Sequence, residues 1–132
     1  MTLLQVLRDN YSIPYFDAAA VGQLLIRRCN ACGQSSEPAS LRCGNCHSDD
    51  VEWVKSDGQG RVVSWAVPHV RDESGAMVPS YAIAIVQLAE GPWLHAQIRT
   101  ADLTAIDAGA SVHIEFESVE GGEPLPVASP AA

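Results

Sequence analysis

Over most of the second half of this chain, apolar and polar positions alternate with a period of two, the signature of half-buried strands. WLHAQIR (93–99) places Leu94, Ala96 and Ile98 on one side of an extended segment. ASVHIEFESV (110–119) repeats the pattern, with Val112, Ile114 and Phe116 inward and His113, Glu115 and Glu117 outward. RVVSWAVPHV (61–70) puts Val63, Trp65, Val67 and His69 on one face, with Pro68 limiting ladder hydrogen bonds near its end. SYAIAIVQL (80–88) is a nearly continuous apolar strand, and PLPV (124–127) a short last one. DESGAM (72–77) reads as a loop, EGP (90–92) and EGG (120–122) as turns, TADLTAIDAG (100–109) as a short helix or turn ending at Gly109, and ASPAA (128–132) as a frayed tail. Five short strands of this kind predict a small closed Greek-key barrel of OB type, in which closure removes the edges that short strands otherwise expose.

The first half follows a different pattern. IPYFDAAAV (13–21) reads as a short helix, with Ser12 as cap, Pro14 in the first turn and Gly22 at the end. Tyr15 and Phe16 give it an aromatic side, which either packs on the chain's own core or docks on a partner. QLLIRR (23–28) and VEWV (51–54) are strand-like, and SDGQG (56–60) is a turn. The expected organisation is mainly β: an N-terminal helical segment at 1–22, a ribbon at 23–57 and a five-stranded OB-fold barrel at 58–132.

The ribbon carries the chemistry. Cys29, Cys32, Cys43 and Cys46 form two Cys-x-x-Cys pairs ten residues apart. Two thiolates separated by two residues curl around one ion, and two such curls complete a tetrahedron about Zn²⁺. Gly33 permits the positive φ that the curl calls for, and Gly44 supplies similar freedom inside the second pair. The pattern predicts one structural, closed zinc site, with iron in the same four thiolates as the alternative. CGNCH (43–47) also matches a c-type haem anchor, but that reading leaves the first pair without a purpose, and no export signal precedes it. No βαβ pattern supports a dithiol redox centre. His47, next to Cys46, is strained as a ligand and is read as a surface histidine.

Charge narrows the function. The net charge is −8, from 16 acids against 8 bases, and from Ala101 onward there are no bases at all. A general nucleic-acid binder needs clustered Lys and Arg, so this balance argues against one. No apolar run reaches membrane-spanning length, and MTLLQVLRDN lacks the features of a signal peptide, which points to the cytoplasm. His69, at a strand end beside a loop, is the histidine best placed to touch a ligand; His95 and His113 fall on polar strand faces. No nucleophile–base–orienter set and no phosphate loop stands out. Trp65 and Trp93 keep open a second reading, an OB module that stacks single-stranded nucleic acid.

The order of parts resembles the DUF35 family. The likeness rests on Tyr15-Phe16, GQLLIRRCNACG (22–33), CGNC (43–46), GQGRVVSWAVPH (58–69), PSYAIAIVQLAEGPWLHAQI (79–98), IDAGASVHIEFE (106–117) and LPV (125–127). Three positions depart from the family's usual residues: Gly44 for a proline, Ala39 after Pro38, and Ala128 for an aromatic. The resemblance implies a rubredoxin-like zinc ribbon joined to an OB-fold. It also implies an accessory role beside thiolase-like enzymes (thiolases, acyltransferases or retro-aldolases) acting on CoA thioesters, or beside MaoC-type hydratases. In that picture the partner supplies the reacting groups, this chain helps form the CoA entrance, and Arg27, Arg28 and Arg42 face CoA phosphates.

Overall fold

The computed structural model describes residues 6–79, 81–100 and 102–130. Residues 1–5 of the N-terminal segment, Ser80 at the head of the 80–88 strand, Ala101, and the last two residues of the tail lie outside the described residues. Among those described, no helix is long and apolar enough to cross a membrane.

One helix, α1 (Ile13–Ala19), leads into a ribbon of β1 (Leu25–Cys29), β2 (Ser35–Ser36) and β3 (Val51–Lys55), ordered β2-β1-β3. There follow β4 (Gln59–Ala66), a hairpin of β5 (His69–Arg71) and β6 (Met77–Pro79), then β7 (Ile83–Leu88), β8 (Trp93–Ile98), β9 (Ser111–Glu117) and β10 (Leu125–Pro130). Strands β4, β7, β8, β9 and β10 close a barrel in the order β10-β8-β7-β4-β9. The β10–β8 pairing is parallel and the other four are antiparallel. This is the five-stranded Greek-key closure of an OB-fold, as the alternation predicted.

The barrel interior follows the strand period. Ala84, Val86 and Leu88 of β7, Leu94, Ala96 and Ile98 of β8, and Val112 and Ile114 of β9 are all buried. A β-bulge between Val62 and Ser64 breaks the pattern in β4. Val62, not Val63, is buried there, and the strand stops at Ala66. The expected face of Val63, Trp65, Val67 and His69 is therefore not continuous: one extra residue shifts the phase, and His69 belongs to a separate two-stranded sheet. The loop expected at 72–77 is the tip of that hairpin, closed by Asp72, whose Oδ1 accepts from the amides of Ser74 and Ala76. Residues 102–109 form turns, not a helix. The tail also differs from expectation. Ala128 and Ser129 continue β10 and are buried, because β10 is held on both sides by β8 and β9.

Ser12 does not cap α1 with its side chain. Its hydroxyl accepts instead from the Asp9 amide, and Asp9 Oδ1 accepts from the Tyr11 and Ser12 amides, both at 2.9 Å, so a local turn fixes the entry to the helix. Gly22, at φ 79°, ends the helical stretch as expected. The helix does not stand free. Tyr15 and Phe16 are each 7% exposed and join Leu24 and Ile26 in the same core as the barrel residues. The Tyr15 ring lies 6.0 Å from that of Phe116 on β9 and 6.4 Å from that of Trp53 on β3. Burial pushes the Tyr15 phenol well above its usual range. Two polar clamps reinforce this junction. The Glu90 carboxylate, in the β7–β8 turn, accepts from the Ser56 hydroxyl at 3.1 Å and the Asp57 amide at 3.0 Å. Arg8 bridges Asp17 on α1 and Glu123 before β10.

Between β4 and β7, Gly60 leaves no room for a side chain: a Cβ would sit 2.7 Å from both the Gln87 carbonyl oxygen and Val86 Cγ1. Gly60→Ala is expected to lower stability by about 2 kcal/mol or more, measured by urea denaturation. A loss below about 0.5 kcal/mol would mean that the two strands can part there at little cost.

Candidate metal centre

The ribbon presents its cysteines from two equivalent turns. In the first, the Cys29 carbonyl accepts from the Gly33 amide at 2.9 Å, and the Cys29 amide donates to the Gln34 carbonyl at 2.9 Å. In the second, the Cys43 carbonyl accepts from the His47 amide at 3.0 Å, and the Cys43 amide donates to the Ser48 carbonyl at 2.9 Å. Each turn thus contributes one buried cysteine (Cys29, Cys43) and one exposed one (Cys32, Cys46). The position after the second cysteine must take positive φ in both. Gly33 does so at 80°, as expected; in the second turn the residue is His47, at 63°, and not Gly44. The histidine read as a surface residue is therefore also a backbone hinge of the site, held in a region that L-residues other than Asn, Asp and His seldom enter.

The four sulfurs all lie within 4.8 Å of one another. Cys29 Sγ is 3.6 Å from Cys46 Sγ, and Cys32 Sγ is 3.5 Å from Cys43 Sγ. A disulfide needs about 2.05 Å, so these are not bonded pairs. A tetrahedron of Zn–S bonds of about 2.3 Å has S···S edges of about 3.8 Å, which matches the cluster. Amides are already turned toward the sulfurs. The amides of Cys46 and Asn45 hold the Cys43 thiol down at about 6, and those of Cys32 and Ala31 lower Cys29. Cys46 is pushed up despite the Ser48 amide, by the Cys29 thiol and by burial among the other sulfurs. Four thiolates this close cannot all ionise unaided, and a divalent cation removes that conflict. The four cysteines form a metal-binding site. Protein fills every coordination position, so the metal supplies structure, and no open site is left for substrate.

The other expected site residues fall in different places. Arg27 is only 9% exposed; its guanidinium lies 3.6 Å from the centre of the Trp53 ring, Nε donates to the Pro38 carbonyl at 3.2 Å and Nη2 to the Tyr11 carbonyl at 3.4 Å. Arg28, next on β1, points to the opposite face by strand alternation and is exposed across from Glu52. Arg42 is exposed and reaches the His47 carbonyl at 3.5 Å. His69 stands exposed on the β5–β6 hairpin, away from the ribbon sheet. Tyr15 and Phe16 lie inside the core. Sequence reasoning missed Trp53, which packs against Arg27 because the two are directly paired between β1 and β3. The register that pairs them is the only signal, and it is visible only once the two strands are aligned.

Comparison with known proteins places each half. Residues 16–52 match the family model of the ChsH2 rubredoxin-like zinc ribbon domain, and residues 53–117 that of the ChsH2 C-terminal OB-fold domain. A DUF35 domain-containing scaffold protein of Methanothermobacter thermautotrophicus is 32% identical over 98 residues, 73% of this chain and 74% of its own length. A probable enoyl-CoA hydratase alpha subunit of Thermomonospora curvata is 32% identical over 124 residues; this chain spans 38% of that protein's length. Among solved structures, a chain of the Ltp2-ChsH2(DUF35) aldolase superposes with a TM-score of 0.78 at 30% identity, covering 95% of this chain and 98% of that one. A Sulfolobus solfataricus DUF35 protein of unknown function shares the fold, with a TM-score of 0.64 at 17% identity.

Two outcomes follow for the metal centre. Cys43→Ser or Cys29→Ser removes a thiolate from the closed set and is expected to give insoluble protein, while the parent chain carries about one metal ion by elemental analysis. Metal well below that level in soluble parent protein would overturn the assignment. His47→Gly relieves the left-handed conformation at the cost of a freer unfolded chain, and should stabilise metal-loaded protein by about 0.5–1 kcal/mol in urea denaturation. Destabilisation would show that the imidazole itself supports the site.

Proposed function

This chain belongs to the DUF35 family, and on that footing we propose that it is a non-catalytic accessory subunit of a heteromeric acyl-CoA enzyme. The partner in this reading is thiolase-like, a thiolase, acyltransferase or retro-aldolase, which supplies the reacting groups while this chain stabilises it and helps form its CoA thioester site. The observation that carries the reading is the likeness, over nearly the full length of both chains, to a chain of the Ltp2-ChsH2(DUF35) aldolase. The chain's own chemistry supports it. The four cysteines are committed to a structural metal, His113 is engaged with Gln59 at 2.9 Å, and His69 and His95 are exposed on different sheets. The metal we assign is zinc, because a closed tetrathiolate with a purely structural task needs no redox activity; iron would make the protein coloured.

A second reading, accessory partner of a MaoC-type hydratase, is favoured by the likeness to part of the probable enoyl-CoA hydratase alpha subunit. The single-stranded nucleic-acid reading is disfavoured. Trp65 pairs with inward-facing Ala84, whereas Trp93 pairs with outward-facing Gln87, so the two indoles do not build one stacking platform.

Co-expression with a thiolase-like enzyme from the same organism should yield one co-eluting complex, with turnover of a CoA thioester that depends on both chains. Separate elution, with the enzyme fully active alone, would sink the reading. Co-elution with a hydratase instead would select the second one.

A further inference from the structure

A 320 Å³ cleft lies between the start of α1 and the ribbon. Tyr11, Tyr15, Leu41, Trp53 and Arg27 are among the residues that line it. Two properties set it apart from an ordinary surface dip. First, its rim is unusually apolar for exposed residues: Tyr11 is 67% exposed and Leu41 50% exposed. Second, Arg27 is only 9% exposed as a residue, and its guanidinium has no carboxylate in salt-bridge reach among the described residues. Of its five N–H donors, the two described bonds use one on Nε and one on Nη2, both to neutral carbonyls.

A buried charge without a counter-ion is costly, and burial lowers the affinity of Arg27 for its proton. The stacked Trp53 ring offsets part of that cost. Three of the five N–H donors, two on Nη1 and one on Nη2, have no described partner and are left for an anion. Asp9 also borders the cleft, but its Oδ1 is occupied by the Tyr11 and Ser12 amides in full solvent, where its field is screened. Tyrosine, tryptophan and arginine around a desolvated hollow is also the composition of interface hot spots.

We propose that this cleft is where the thiolase-like partner docks, inserting an apolar side chain between Tyr11 and Leu41 next to a carboxylate that pairs with Arg27. The inference rests on the accessory-subunit reading and names the surface that reading leaves open. A single guanidinium with part of its donors committed suits one carboxylate better than a polyphosphate, and the −8 net charge of the chain disfavours polyanions as a whole. Pairing would relieve the buried charge only in the complex, so the cleft rewards the partner that completes it.

The test measures binding of purified partner enzyme to immobilised full-length chain. Ala39→Trp fills the cleft from its wall without removing any described hydrogen bond, and Leu41→Asp puts a like charge where the carboxylate must enter. Each should weaken binding about tenfold or more, while Trp93→Gln, on the barrel, stays within about twofold. Arg27→Met keeps a stem over Trp53 but loses the charge, and should abolish the salt dependence of the affinity. Metal content and melting temperature of every variant confirm that the fold persists. Partner binding that is unchanged in Ala39→Trp and Leu41→Asp overturns the docking site and leaves the accessory reading standing. A parent chain that does not bind the enzyme removes both.

Discussion

Mutual repulsion among four sulfurs is the constraint on which the front of this molecule depends. Cys29, Cys32, Cys43 and Cys46 are gathered within 4.8 Å by two short turns that have almost no apolar core of their own. Without a cation, thiolates this close cannot all carry charge, since each disfavours ionisation of its neighbours. With one, the same crowding becomes coordination, and the ribbon gains a fixed point that its size could not provide by burial. Cys29 ends β1 opposite Val51 of β3, so the same fixed point lies at the end of the strand pair that stacks Arg27 on Trp53.

The ribbon is nevertheless not an independent appendage. Tyr15 and Phe16 of the helix, Ile26 of the ribbon and Ile114 of the barrel belong to one core, and Tyr15 touches rings from both of the other parts. The ribbon and the barrel are therefore joined through aromatic contacts. This is why the N-terminal helix, which has little to cover in a ribbon alone, buries its aromatic face so completely.

Much of this was legible in residue order. The two Cys-x-x-Cys pairs marked the metal centre, because ligand spacing is a local property, and strict alternation in β8 and β9 marked the inner face of the barrel. What escaped was non-local. The bulge at Val63 shifts the phase of β4 by one residue, and no composition signals it in advance. The β5–β6 hairpin was hidden by Pro68 and by a polar tip that reads as loop. Ala128 and Ser129 looked like tail because small residues carry little strand propensity, yet pairing on both edges fixes them. The second cysteine turn takes its positive φ at His47, three residues beyond Gly44, although composition favours the glycine for that role. The Arg27–Trp53 stack needed the register of β1 against β3, which periodicity does not supply.

The grip of Glu90 on Ser56 and Asp57 has a mechanical corollary. The chain passes from ribbon to barrel through Ser56 and Asp57, and one carboxylate fastens that passage to the β7–β8 turn of the barrel. A two-part body with a locked joint loses little orientational freedom on assembly, so less of the contact energy at either end is spent on aligning the other. One acidic side chain thus sets the angle at which the cysteine ribbon leaves the barrel.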